Sequence, residues 1–223
     1  MNNPAGPEFH GDRVLGIFAK EPVPGRVKTR LCPPLLAEEA AALYARSLEE
    51  TVGRLRAGAW RTVLFHTGAR GYFEGVFPDL PLRAQQGADL GARLAAALQG
   101  LLGAGARAVV LIGSDSPDLP LDLVQAAFDA LAEQEAVLAP AADGGYVLIG
   151  ESRHHPRLFA DIPWSTPRVL CETRRRAQEL GIALGELAPW EDLDDLGALR
   201  RLVRRSAQSL TARYAQSHLA RYL

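Results

Sequence analysis

Short apolar runs alternate along the chain with amphipathic stretches. Arg13–Ala19, Arg61–Thr67, Val109–Ile112, Ala136–Pro140 and Tyr146–Gly150 are runs of four to seven residues dominated by apolar side chains. Their length and β-branched content predict strands buried in a sheet. Between them apolar residues recur at steps of three and four. Leu36, Ala40, Leu43, Tyr44, Leu48, Val52 and Leu55 mark a helix over about 36–55. Gly68–Pro81 reads as a loop or short helical turn. Asp89 is placed as the N-cap of a helix that ends near Gly103–Gly105. Further helices are predicted over Leu121–Glu133, Pro167–Leu180 (closed by Gly181), Leu196–Arg205 and about Gln208–Leu223, with Ile182–Leu187 an edge strand. Alternating strands and helices predict a three-layer α/β/α sandwich with a mainly parallel sheet. The tight Asp143-Gly144-Gly145 turn joins two strands as a hairpin, which makes the sheet mixed.

Polar residues gather where strands end. Val109–Ile112 runs into Gly113-Ser114-Asp115-Ser116-Pro117-Asp118-Leu119-Pro120, whose prolines stop the ladder. Ligands of open α/β sheets bind beyond the carboxyl ends of strands. Asp115 is therefore expected on the floor of a cleft, where an acidic oxygen suits Mg²⁺ or Mn²⁺. Asp118, just ahead of the next helix, reads as a turn residue. The first strand empties into a loop with Pro22, Pro24 and Gly25 and the cations Lys20, Arg26, Lys28 and Arg30. A basic, glycine-containing loop after a first strand suits phosphate, although it has neither Walker A nor Gly-x-Gly-x-x-Gly spacing. Asp143-Gly144-Gly145 serves equally as a plain turn or a substrate contact. Asp192 and Asp194 serve equally as helix-terminal acids or site residues. One basic and several acidic clusters on one sheet edge suit a metal-bridged phosphate ester.

Composition narrows this picture. A chain of 223 residues accommodates one large α/β domain, expected over 13–223 after a loose polar leader at 1–12 that lacks the basic start and apolar core of a signal peptide. A net charge of −1 argues against a nucleic-acid binder. Cys32 and Cys171 form no disulfide framework or zinc motif, so a reducing cytoplasm is the expected setting. No apolar run is long enough for a membrane span. Arginine is the default cation: 23 arginines stand against two lysines, Lys20 and Lys28, both in the basic loop. An ammonium is a compact point charge where a guanidinium is a planar fork. His66, His154 and His155 lack partners at metal-ligand spacing. With no Gly-x-Ser-x-Gly and no histidine near either cysteine, nucleophilic hydrolysis has no support. Trp164 suits stacking on a base or sugar as well as a place in the core or a lid.

Five motifs occur in order: Phe18-Ala19-Lys20-x-Pro22-x-Pro24-Gly25-x-Val27-Lys28-Thr29-Arg30-Leu31; Asp89-Leu90-Gly91-x-Arg93-Leu94; Gly113-Ser114-Asp115-Ser116-Pro117-Asp118-Leu119; Asp143-Gly144-Gly145-Tyr146; and Trp164-Ser165-Thr166. With them the chain, from about Val14 to Leu202, resembles the DUF2064 family of bacterial proteins, described as nucleotide-diphospho-sugar transferase-like. The resemblance implies a Rossmann-like GT-A fold. It implies a nucleotide site built from Lys20, Gly25, Lys28, Thr29 and Arg30 with Asp89, Gly91 and Arg93, and Asp115 as the metal ligand. The family's late Asp-x-Asp segment is here Asp192-Leu193-Asp194-Asp195-Leu196, shortened and without its usual Thr-Pro, and Asp194 is favoured as the second metal ligand. Asp143 joins Asp115 as a catalytic candidate, while Gly144, Gly145, Tyr146, Trp164, Ser165 and Thr166 are expected toward the substrate. The function so implied is a Mg²⁺- or Mn²⁺-dependent transfer of a glycosyl group from a nucleotide sugar to a small acceptor. Nucleotidyl transfer from an NTP with release of pyrophosphate is the alternative, and a non-catalytic nucleotide-binding protein a third.

Overall fold

A computed structural model describes Phe9 and residues 11–223. Seven strands form one sheet: β1 (Arg13–Lys20), β2 (Arg61–Thr67), β3 (Leu82–Ala84), β4 (Ala108–Gly113), β5 (Ala136–Pro140), β6 (Tyr146–Glu151) and β7 (Leu184–Glu186). Their order across the sheet is β3-β2-β1-β4-β6-β5-β7. All pairs are parallel except those of β6, which runs antiparallel to β4 and β5. The expected mixed, mainly parallel sheet is therefore present, and the Asp143–Gly145 turn is the hairpin that reverses it. The strand β3 was not apparent from the apolar pattern. It is a three-residue edge strand, partly exposed, and too short to show a period of two.

Helices α1 (Ala37–Leu55), α2 (Arg70–Val76) and α4 (Leu121–Ala130) cover one face; α3 (Leu90–Leu102) and α5 (Val169–Leu180) cover the other. Alternation along the central strands divides the core between them. Leu15, Ile17, Val110 and Ile112 meet α1 and α4, while Val14, Val109 and Leu111 meet α3 and α5. Helices α6 (Leu196–Arg205) and α7 (Leu210–His218) pack against each other, and α7 against α1. They pack outside α1, where Leu199, Leu202 and Ala215 join Ala40 and Leu43. The seat of α7 is ionic: the buried Glu50 carboxylate accepts from Leu210 N and Thr211 N at 2.9 and 2.8 Å, so an acid of α1 completes the N-terminus of α7.

Most of the expected leader lies outside the described residues. Of it, Phe9 is buried and its N–H bonds Ala104 O at 2.9 Å. Among the described residues no helix is long and apolar enough to cross a membrane.

Candidate functional site

The parallel strands β1 and β4 end side by side, with Phe18 opposite Gly113, and α1 braces both ends. The buried Tyr44 hydroxyl accepts from Lys20 N at 2.9 Å and lies 2.7 Å from Ser114 Oγ. Ser47 Oγ donates to Ser114 O at 3.1 Å, and Arg54 Nη1 to Pro117 O at 2.6 Å. The turn after β4 is thus clamped from behind, leaving the Asp115 side chain facing forward and 43% exposed. The late acidic segment is laced to the same turn. Leu193 N donates to Asp115 O at 2.8 Å, and Ser116 Oγ donates to Asp192 Oδ1 at 2.5 Å.

The basic loop closes over this pair. Lys28 turns back in the left-handed region (φ 48°, ψ 37°) at the start of the short 3-10 turn Thr29–Leu31. Its ammonium lies 2.5 Å from Asp115 Oδ1 and 3.5 Å from Asp194 Oδ1, and Arg30 Nη1 lies 2.9 Å from Asp194 Oδ2. Asp192 lies behind them. Burial first, and then the neighbouring Asp115 carboxylate, push its carboxyl up to about 7. One cation therefore reaches both Asp115 and Asp194, whose hard oxygens fit Mg²⁺ or Mn²⁺. Among the described residues no three acidic, histidine or cysteine side chains form a closed cage.

These groups line a cleft of about 570 Å³. Lys20, Lys28, Thr29 and Arg30 form one wall with Asp115 and Asp194. Asp89 and Arg93 form a second. Asp89 caps α3 as its position predicted, accepting from Ala92 N at 2.8 Å, and Arg93 Nε donates to Gly87 O. Asp143, Tyr146 and Ser165 line the cleft as well. The exposed Asp143 accepts from Gly145 N at 2.9 Å within its turn.

Of the other residues singled out, Gly25, Gly91, Gly144, Gly145, Trp164 and Thr166 are not among those that line the cleft. Gly91 is where the Trp164 indole packs: a Cβ there would stand 2.3 Å from Trp164 Nε1. Trp164 is half-buried, edge-on to Tyr146 at 6.3 Å. Gly144 has φ +88°, and a Cβ there would stand 2.2 Å from Pro167 O, so only glycine fits the hairpin under that segment. Gly145 is the donor to Asp143, Gly25 is a turn residue, and Thr166 Oγ1 donates to Pro163 O. The Tyr146 ring lines the cleft, but its hydroxyl is buried, with only a weak contact to the Thr173 hydroxyl. Burial pushes that phenol well above its ordinary range.

Tyr44, Ser47, Ser114 and Gln85 were not foreseen. Tyr44 belongs to the apolar stripe of α1 and gives no polar signal. Gln85 follows β3, and its amide donates to Ala19 O and Phe65 O at 3.2 and 3.0 Å, tying the ends of β1 and β2 to the cleft. Asp118 is in a turn as predicted, but it is also buried and ion-paired to Arg205. None of His66, His154 and His155 lines the cleft.

Residues 51–166 match the family described as an uncharacterized protein conserved in bacteria, DUF2064. The chain belongs to the DUF2064 family. Among solved structures, this DUF2064 protein is similar to one from Desulfovibrio desulfuricans that carries the provisional name nucleotide-diphospho-sugar transferase. The two are 31% identical over 95% of this chain and 97% of that one, with a TM-score of 0.88. More distant is a cytidylyltransferase from Leptospira borgpetersenii, at 15% identity over 83% of this chain and 79% of that one, with a TM-score of 0.55. Rv0371c of Mycobacterium tuberculosis, in complex with manganese, is 19% identical over 87% of this chain and 99% of that one, with a TM-score of 0.54. These last two likenesses are of fold. Comparison with curated proteins yields no significant match.

Proposed function

We propose that this DUF2064 protein is a transferase acting on a nucleotide-activated substrate, with a divalent cation, Mg²⁺ or Mn²⁺, held by Asp115 and Asp194. The observation that carries this reading is the meeting of the basic loop with two carboxylates where β1 and β4 end: Lys28 lies within 3.5 Å of both Asp115 and Asp194. The bound ion would supply charge neutralisation at the phosphates and polarise the bond to the leaving group. Lys20, Lys28 and Arg30 would bind phosphate oxygens from one side, and Arg93 from the other. Asp143, which also lines the cleft, would take a proton from the acceptor hydroxyl. The cleft volume of about 570 Å³ lies in the range of small-molecule sites.

The leading reading is glycosyl transfer from a nucleotide sugar, supported by the provisional name of the Desulfovibrio protein at 31% identity. Nucleotidyl transfer is the second, favoured by the cluster of Lys20, Arg26, Lys28 and Arg30 in one loop of the cleft, which suits a triphosphate at least as well as a sugar nucleotide. The products separate the two. With Mg²⁺ or Mn²⁺, a nucleotide sugar plus acceptor should release a nucleoside diphosphate in the first case. An NTP plus a sugar phosphate should release pyrophosphate in the second. Nucleotide binding without either product would leave a non-catalytic binding protein. If no nucleotide or nucleotide sugar raises the melting temperature, where saturation at a hundred times Kd should add about 2.7 kcal/mol, both enzyme readings fall.

A further inference from the structure

The Lys28 side chain is only 4% exposed, although it lines an open cleft. Its ammonium makes no hydrogen bond of good geometry, yet lies 2.5 Å from Asp115 and 3.5 Å from Asp194. The backbone that delivers it there is left-handed, at φ 48°, a conformation unfavourable for a residue with a Cβ. An ammonium waiting for phosphate would turn its protons to the open cleft. This one instead fills the space between two carboxylates, where a hard divalent ion would sit.

From this geometry we infer that Lys28 is a displaceable counter-ion: without metal it neutralises Asp115 and Asp194, and a divalent cation entering between them expels its ammonium into the cleft. The inference rests on the reading of Asp115 and Asp194 as metal ligands. Its consequence is an order of events. Without metal, Lys28 and Arg30 are both engaged by Asp115 and Asp194, so the four groups are close to neutral and Lys28 is not free to meet phosphate. With the metal in place and Lys28 released, the same groups are net positive and face the phosphates. Metal therefore binds first and nucleotide second. The choice of residue fits the task. A guanidinium would grip a carboxylate through two parallel bonds, as Arg205 grips Asp118, whereas an ammonium on a flexible stem can leave. The chain has 23 arginines and only two lysines, and one of those lysines stands here.

That scarcity makes the test clean, because an amine-reactive acetylating ester reads only Lys20, Lys28 and the N-terminus. Labelling is followed by mass spectrometry on the whole protein with and without Mg²⁺, in the absence of nucleotide. Labelling of Lys28 should rise several-fold with Mg²⁺ while Lys20 stays constant. In parallel, equilibrium dialysis with Mn²⁺ alone compares the wild type with Lys28→Met. The variant should bind Mn²⁺ about tenfold more tightly, because the ion no longer competes with an ammonium. If the wild type binds metal but Lys28 labelling does not change, or if folded Lys28→Met binds Mn²⁺ no more tightly, the counter-ion role is overturned and the transferase reading stands. If neither protein binds metal, the metal ligands themselves are wrong and this inference falls with them. Should Lys28→Met fail to fold, the labelling of the wild type decides.

Discussion

Asp115 and Asp118 stand three residues apart in the same turn, yet the fold treats them oppositely. Asp118 is 7% exposed and fully answered. Arg205 donates to it through Nε and Nη2 at 2.6 and 3.1 Å, and Ser206 Oγ donates at 2.9 Å. The same guanidinium is paired with Glu191 and lies over the Trp190 ring at 5.4 Å. Asp115 is 43% exposed and meets one ammonium from a loop. A planar fork matched to a carboxylate fixes α6 to the β4 turn. A single point charge holds a carboxylate without filling its remaining acceptor positions. An ion pair closed on every side belongs to the architecture, and one left half-open is available to a ligand.

Substitution should separate the two cleanly. The largest effect is expected from Asp115→Asn: turnover of the transferase reaction should fall about 10²–10³-fold, with the melting temperature nearly unchanged. Steady-state kinetics beside a thermal melt reads both. A variant with full turnover would remove Asp115 from the site. Asp118→Ala should do the reverse. It leaves Arg205 with Glu191 alone and Ser206 Oγ without its acceptor, and should cost about 2 kcal/mol of stability, seen as a drop of roughly 4–8 °C in melting temperature. Its effect on turnover per folded molecule should be minor. If Asp118→Ala melts like the wild type, the closed pair is not structural and the contrast fails.

This pair also shows what the sequence could and could not tell. Asp115 was legible because a buried apolar run ended at a glycine and two prolines, which placed it at a strand's carboxyl end. The basic loop was legible for the same reason, and so was the sheet order's one reversal, through Asp143-Gly144-Gly145. The tie between Asp118 and Arg205 was not, because 87 residues separate them and nothing local marks the partner. The same holds for Tyr44, which lies in an apolar helix stripe yet bonds across to Lys20 N and Ser114. Glu50 read as one more polar position of α1 until α7 was seen resting on it. Local chemistry announces strand ends and turns, whereas the contacts that orient a site are made by folding distant segments together.

The half-open cluster should also be the pH-sensitive one. Asp192 is raised to about 7 by burial and by Asp115, above the ordinary carboxyl value of 3.8. Between those two values the folded state holds a proton that the unfolded chain has lost. Stability from this group therefore falls as pH rises from about 4 to 7 and is level above. Asp192→Asn removes that dependence. Its melting temperature relative to wild type should climb over that interval and be a few degrees higher at pH 8. A constant difference across the series would place Asp192 outside the electrostatic cluster. Bound Mg²⁺ should shrink the gap, since a cation beside Asp115 offsets the same repulsion.

The smallest effect is expected from a third arrangement, a side chain that lines the cleft with its ring and hides its polar atom. The Tyr146 hydroxyl is buried beside the Thr173 hydroxyl, without a well-formed bond. Tyr146→Phe removes only the weak contact with Thr173, so it should melt within a few degrees of the wild type. Turnover should stay within a factor of about two, roughly 0.4 kcal/mol in the barrier. The ring would still pack edge-on against Trp164, whose indole lies where Gly91 leaves room. A large loss of turnover with unchanged stability would show that the phenol swings into the cleft when substrate binds. Lining the cleft and facing it would then be one property rather than two, and exposure in the free protein would no longer separate groups such as Asp115 from groups such as Asp118.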